Sequence, residues 1–237
     1  MPLAGRARRA AACAIFAACA SACVDLPPDT PPPPIPTKPL AASSENGQRP
    51  LFQASDLGLL ESDDRDRWQR VDDILDDLKI SDGSVVADIA AGGGWFSDRL
   101  SRRVGPTGLV YAEEIQQSMI QAMTRRFQVE NITNVRTVRG TPTDPNLPAN
   151  ALDAVVIINS FRDIDQPVPL LQRLRASLNK RGLIGIVEFT PGGGGPGPDE
   201  AERVQPDAIV SAARDANLHL IAQYPVPPFE YLLVFGR

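Results

Sequence analysis

The chain has 237 residues, of which 43% are hydrophobic and 22% charged, and a formal net charge of -5. That length supports one domain with a proper core plus extensions, and the acidic balance excludes a broad phosphate-binding surface, so nucleic acid is not an expected partner. A single histidine, His219, excludes a multi-histidine metal centre. The three cysteines (Cys13, Cys19 and Cys23) lie near the N-terminus, so neither a disulfide nor a metal site is expected in the rest of the chain.

Residues 1–23 read as an export signal. Arg6, Arg8 and Arg9 precede an alanine-rich stretch from Ala10 to Ala22, and Ala20-Ser21-Ala22-Cys23 supplies small residues before a cysteine. The pattern is similar to a bacterial lipoprotein signal. It implies a membrane anchor on Cys23, with Cys19 as the second choice, and a location in the cell envelope. A plainly cleaved signal is the alternative, and a misread leader would leave the chain in the cytoplasm. Residues 24–50 are rich in proline, including Pro31-Pro32-Pro33-Pro34-Ile35-Pro36. Proline fixes φ and removes a donor, so an extended tether is expected there. The folded domain is expected over residues 51–237.

From Asp63 to Lys79, Trp68, Val71, Ile74, Leu75 and Leu78 recur at helical spacing. The run Val85 to Ile89 suits a buried parallel strand. The glycines after Ala91 then turn the chain into a helix over Trp95–Arg103. The alternation continues with a strand at Leu109–Ala112, a helix at Gln117–Glu130, and strands at Val135–Val138 and Leu152–Ile158. A helix at Val168–Leu178 is stopped by Gly182, and a strand follows at Leu183–Phe189. The chain closes with a helix at Asp207–Ala216 and strands at Leu218–Tyr224 and Tyr231–Phe235.

Strand and helix in turn predict an α/β fold with a doubly wound, mostly parallel seven-stranded sheet. The last two strands are joined by only Pro225-Val226-Pro227-Pro228 and its neighbours, too few residues for a parallel crossover, so an antiparallel pair is expected at one edge.

In such a sheet ligands bind beyond the carboxyl ends of the strands. Asp88-Ile89-Ala90-Ala91-Gly92-Gly93-Gly94 ends the first strand, and its glycines let the backbone approach a ligand. Glu113-Glu114 ends the second strand, where a carboxylate can accept hydrogen bonds from paired ribose hydroxyls.

Together with Arg65-Asp66-Arg67-Trp68-Gln69 and Asp144-Pro145-Asn146-Leu147-Pro148, this arrangement resembles the class I S-adenosylmethionine-dependent methyltransferases over about Arg65 to Phe235. The resemblance implies S-adenosylmethionine as cofactor and a small, unidentified methyl acceptor. It implies that Asp88, Ala90 and the backbone around Gly92 and Gly94 hold the methionine part, and that Glu114, rather than Glu113, takes the ribose. Thr143 or Asp144 would lie near the adenine, and Asn159 would face the methyl group and the acceptor.

Three departures from the family pattern stand out. Ala90 replaces a usual glycine, Thr143 replaces a frequent acid, and Asn159-Ser160-Phe161-Arg162-Asp163 stands where relatives often carry a His-His pair. Arg162 and Asp163 either bind a charged acceptor or form a local ion pair. The loop Pro191-Gly192-Gly193-Gly194-Gly195-Pro196-Gly197-Pro198 reads as a mobile lid or a flexible connection. Two rival functions remain: a catalytically degenerate envelope lipoprotein used for binding or scaffolding, and a nicotinamide-dependent oxidoreductase, for which Ala90 spoils the glycine fingerprint.

Overall fold

The computed structural model describes Phe52, Ser55, residues 57–61 and residues 64–237. The expected leader (1–23), the tether (24–50) and Leu51 lie outside the described residues.

Three short helices come first: α1 (Leu57–Leu60), α2 (Arg65–Trp68) and α3 (Val71–Asp77). Strands and helices then alternate as β1 (Val85–Ile89), α4 (Trp95–Val104), β2 (Leu109–Glu114), α5 (Gln117–Val129), β3 (Val135–Arg139), β4 (Leu152–Ile158), α6 (Pro167–Ser177) and β5 (Leu178–Phe189). The chain ends with α7 (Pro206–Asp215), β6 (His219–Val226) and β7 (Glu230–Gly236).

The seven strands form one sheet in the order β3-β2-β1-β4-β5-β7-β6. The first five are parallel to their neighbours, while β7 runs antiparallel to both β5 and β6. This is the α/β, Rossmann-like arrangement expected, with its antiparallel pair at one edge. Among the described residues no helix is long and apolar enough to cross a membrane.

Each sheet face has its own core. On one face Ala87, Ile89, Val155, Ile157 and Ile184 pack against Leu171 and Leu174 of α6 and Ile209 of α7. On the other, Val86, Val110 and Val156 pack against Ile74 of α3 and Leu100 of α4. Both faces of β1 and β4 are therefore covered. That is why their sequences are nearly continuous apolar runs rather than alternating ones.

The structure departs from the expected elements in two places. The helix expected over Asp63–Lys79 is broken into α2 and α3, with Arg70 in the left-handed region at φ 49. Trp68 and Gln69 are both buried, and the break turns both side chains inward, so tertiary contacts override the local period. Strand β5 starts at Leu178, not Leu183. Leu178 pairs with Leu152 and the next pair is Ala154 with Leu183, so the residues between bulge out of the ladder.

The glycine-rich loop after β5 is a built wall rather than a mobile lid or a flexible connection. Arg203, whose side chain is 3% exposed, donates to the carbonyls of Thr190 (2.9 Å), Gly194 (2.9 Å), Pro196 (3.2 Å) and Pro198 (3.2 Å). The Glu200 carboxylate accepts from the N–H groups of Gly192 (2.6 Å) and Gly194 (3.0 Å). Gly195 and Gly197 have positive φ, and a Cβ on either would strike the rings of Phe229 (2.2 Å) and Phe189 (2.7 Å) respectively. The glycines are thus required by close packing as much as by conformation.

Replacing Arg203 by Met removes its hydrogen bonds to four carbonyls, of which that of Thr190 keeps the Gly193 N–H. Limited proteolysis of Arg203→Met should cut residues 191–198 at least about tenfold faster than in the native chain, the factor that corresponds to ~1.4 kcal/mol of local opening. Equal cutting rates would show that the loop does not depend on this guanidinium.

Candidate functional site

The turn that follows β1 is built on positive φ angles: 55 at Ala90, 56 at Gly92 and 83 at Gly94. A Cβ at Gly94 would meet the Phe127 ring at 2.7 Å and Met123 at 2.9 Å, so α5 packs directly on the backbone there. A Cβ at Gly92 would meet nothing within 4 Å, so this side of the turn is open. Ala90 is exposed and holds a left-handed conformation that costs an L-residue about 1–2 kcal/mol.

Glu114, 5% exposed, aims its carboxylate at this turn. One oxygen accepts from the N–H of Gly92 at 3.1 Å. The other accepts from the N–H groups of Ile115 (2.8 Å) and Gln116 (2.9 Å). Glu113 points to the opposite face of β2. Its Oε2 accepts from the Ala90 N–H at 3.3 Å, and its Oε1 is buried without a hydrogen-bond partner. Burial pushes the Glu113 carboxyl up to about 8. The two adjacent acids are therefore not equivalent, and Glu114 is the one that meets Gly92.

Asp88, at the penultimate position of β1, accepts from the Ser97 hydroxyl at 2.6 Å, and burial pushes it up to about 7. Thr143 and Asp144 lie in the partly exposed loop after β3. There the Asp144 N–H donates to the Thr141 hydroxyl (3.0 Å), and its Oδ1 accepts from the Asn146 N–H (3.0 Å).

A second polar cluster lies at the ends of β4 and β5 and the start of β7. Asn159 follows β4 with φ 55, and its N–H donates to the Val187 carbonyl at 2.9 Å. Its side-chain amide donates to Oε1 of Glu230 at 2.8 Å, and that of Gln69 donates to Oε2 at 2.6 Å. Gln69 in turn accepts from Nε of Arg65 at 3.0 Å. Burial pushes Glu230 up to about 8 and Glu188, which accepts from the Phe161 N–H at 2.7 Å, up to about 7. Arg65 is lowered to about 10, mainly by desolvation. Trp68 packs on Phe189 and Phe229, with ring centres 5.7 Å and 6.5 Å away.

The first helices are docked onto α4. The guanidiniums of Arg65 (4.1 Å) and Arg99 (3.5 Å) both lie over the Trp95 ring, and Arg99 forms a two-point bond with Asp66. The motif Arg65-Asp66-Arg67-Trp68-Gln69 is thereby explained residue by residue, apart from the exposed Arg67.

The structure gathers Asp88, Gly92, Gly94 and Glu114 at the ends of β1 and β2, with Ala90 in the same turn, and sets Asn159 at the end of β4. Arg162 and Asp163 lie in a short turn after β4 beside Glu188, on which both act, and Arg162 also reaches Glu202 (2.9 Å) and Asp163 (3.5 Å). Glu230 and Glu188 were not singled out from sequence. The available signal was an acid flanked by aromatic or apolar residues at a strand end, as in Val187-Glu188-Phe189 and Phe229-Glu230-Tyr231.

A family described as "Methyltransferase domain" matches residues 86–182. Among curated proteins, the ubiquinone/menaquinone biosynthesis C-methyltransferase UbiE of Pasteurella multocida is 27% identical over 124 residues, which is 52% of this chain and 46% of that protein. A demethylmenaquinone methyltransferase of Geobacillus stearothermophilus is 20% identical over 122 residues, 52% of this chain and 51% of that protein. The chain thus spans about half the length of the curated relatives it matches.

Among solved structures, a SAM-dependent methyltransferase from Aquifex aeolicus superposes with a TM-score of 0.74 at 20% identity, covering 78% of this chain and 98% of that one. The [4+2]-cyclase SpnF superposes with a TM-score of 0.60 at 12% identity, covering 70% and 79%. Likeness at that level speaks for the fold alone, since its members differ in chemistry. Over residues 86–182 the chain is thus similar to the methyltransferase-domain family, and it shares its fold with S-adenosylmethionine-dependent methyltransferases of known structure.

Proposed function

We propose that this domain binds S-adenosylmethionine at the ends of β1 and β2 and transfers its methyl group to a small acceptor held near β4, β5 and β7. One observation carries the reading: the Glu114 carboxylate is fixed by the N–H groups of Gly92, Ile115 and Gln116 beside a turn that is open at Gly92. A carboxylate has about four acceptor positions, so three main-chain donors leave room for a hydroxyl donor. The donor set therefore fits an adenosyl sulfonium. Glu114 would take the ribose, and Asp88 with the N–H groups of the turn would hold the methionine part.

When bound, S-adenosylmethionine supplies an activated methyl group on a sulfonium. The protein's share is alignment of the acceptor and exclusion of water, with a base needed only where the acceptor must lose a proton. The aromatic wall of Trp68, Phe189 and Phe229 supports an acceptor with an apolar ring. The relatives named for ubiquinone and menaquinone biosynthesis support the same.

Calorimetry with S-adenosylmethionine and with S-adenosylhomocysteine tests the reading. Saturable binding is expected, and Glu114→Ala should weaken it more than about tenfold, the loss of one charge-assisted hydrogen bond worth roughly 1.5–3 kcal/mol. Absence of binding at millimolar concentration would discard the reading. The replacement Ala90→Gly relieves the left-handed strain. It should raise the melting temperature by about 2–4 °C, the shift that ~1 kcal/mol produces in a domain of this size, without loss of cofactor affinity. A lower melting temperature would show that Ala90 is not strained.

A further inference from the structure

We propose that residues 57–61, together with Phe52, form a strap that closes over the cofactor site, and that Arg126 of α5 is the latch that holds it shut. The inference rests on the methyltransferase reading above and adds to it a residue that controls entry and exit of the cofactor.

Arg126 makes the fastening with one guanidinium. Both of its terminal nitrogens bond to the Glu61 carboxylate, Nη1 at 2.8 Å. The same Nη1 donates to the Gly93 carbonyl at 2.9 Å. Gly93 is buried in the middle of the turn after β1, and the strap lies directly on it. A Cβ there would meet Oε1 of Glu61 at 2.7 Å and Cδ2 of Leu57 at 2.9 Å. Unlike Gly92 and Gly94, Gly93 does not have a positive φ. Its missing side chain is therefore explained by room for the strap and not by the backbone path.

A second fastening lies across the site. The side-chain amide of Gln116 donates to the Phe52 carbonyl at 3.1 Å. The main-chain N–H groups of Gln116 and of Gly92, the neighbour of Gly93, both end on the Glu114 carboxylate. The strap is thus tied down on both sides of the acid proposed to take the ribose, and a cofactor exchanging there has to pass it.

The latch is built to let go. The side chains of Arg126 and Glu61 are 26% and 17% exposed, so water and salt reach the pair. Glu130, one turn further along α5, lies 3.4 Å from Nε of Arg126, and Asp98 of α4 also acts on it. Arg126 keeps these partners when Glu61 leaves, so release does not strand a bare charge. Such a latch closes the site with the cofactor or without it. Weakening it populates the open form and speeds arrival and departure together, while the equilibrium affinity changes little.

The test uses the full chain and stopped-flow mixing with S-adenosylhomocysteine, followed by tryptophan fluorescence, since Trp95 opens α4 directly after Gly94. Glu61→Gln should raise the association and dissociation rate constants each by about fivefold or more, the factor equivalent to ~1 kcal/mol, with Kd changed by less than about threefold. Raising the salt from about 0.05 to about 0.5 M should speed the native chain in the same way and leave Glu61→Gln unmoved. Arg126→Lys keeps the charge but loses the two-point grip, and its rates should fall between the two.

Rate constants in Glu61→Gln equal to the native ones would overturn the assignment. So would a rise in dissociation alone with a matching loss of affinity, which would make Glu61 a plain binding contact. Should Glu61→Gln fail to fold, the native chain decides, and rates that ignore salt sink the latch. Saturable binding of S-adenosylhomocysteine with unchanged rates removes only the latch, whereas no binding removes the methyltransferase reading and the latch with it.

Discussion

A carboxylate taken out of water at the end of a strand has to be met by donors, and Glu114 is met by three main-chain N–H groups from two separate segments. Two of them belong to the residues just after β2. The third, from Gly92, comes across from the turn after β1. This bond ties the glycine turn to the neighbouring strand. The positive φ angles of Gly92 and Gly94, the direct packing of α5 on Gly94 and the start of α4 at Trp95 are all compatible with that one geometry. Since the donors are backbone, no side-chain substitution in the turn removes them directly. Only a change of backbone path does.

The adjacent acids show how finely strand geometry sorts chemistry. Side chains alternate across a strand, so Glu113 and Glu114 fall on opposite faces of β2. Glu114 meets a row of N–H groups. Glu113 meets one, from Ala90, and is crowded by Gly140, where a Cβ would lie 1.8 Å from its oxygen. The same residue type, one position apart, is thus a well-held carboxylate in one case and a group pushed toward its neutral form in the other.

Much of the fold was legible because its signals are local. Val85 to Ile89 and Leu152 to Ile158 are largely apolar on both faces, and Leu170, Leu171 and Leu174 keep a helical stripe. The short link between the last two strands forbids a parallel crossover. The candidate site was legible for the same reason: Asp88, the glycines and Glu114 sit at the ends of consecutive strands. Three features were not legible, because each depends on residues far away in sequence. The helix break at Arg70 exists because Gln69 must reach Glu230. The proline- and glycine-rich loop is rigid because Arg203, beyond its end, collects its carbonyls. Glu230 looks like an ordinary strand residue until Gln69 and Asn159 are placed on either side of it.

The bond from Gln69 to Glu230 joins residues 161 positions apart, almost the whole length of the folded domain. Contacts of that span form late, because the loop-closure entropy they require is offset only after the intervening sheet has assembled. During synthesis the glycine turn and Glu114 can come together before the C-terminal third of the chain has been made. The pocket wall that begins with Trp68 has to wait for the final strand. An order of assembly follows, in which the glycine turn and Glu114 mature first and the cluster around Glu230 closes only once β7 is in place.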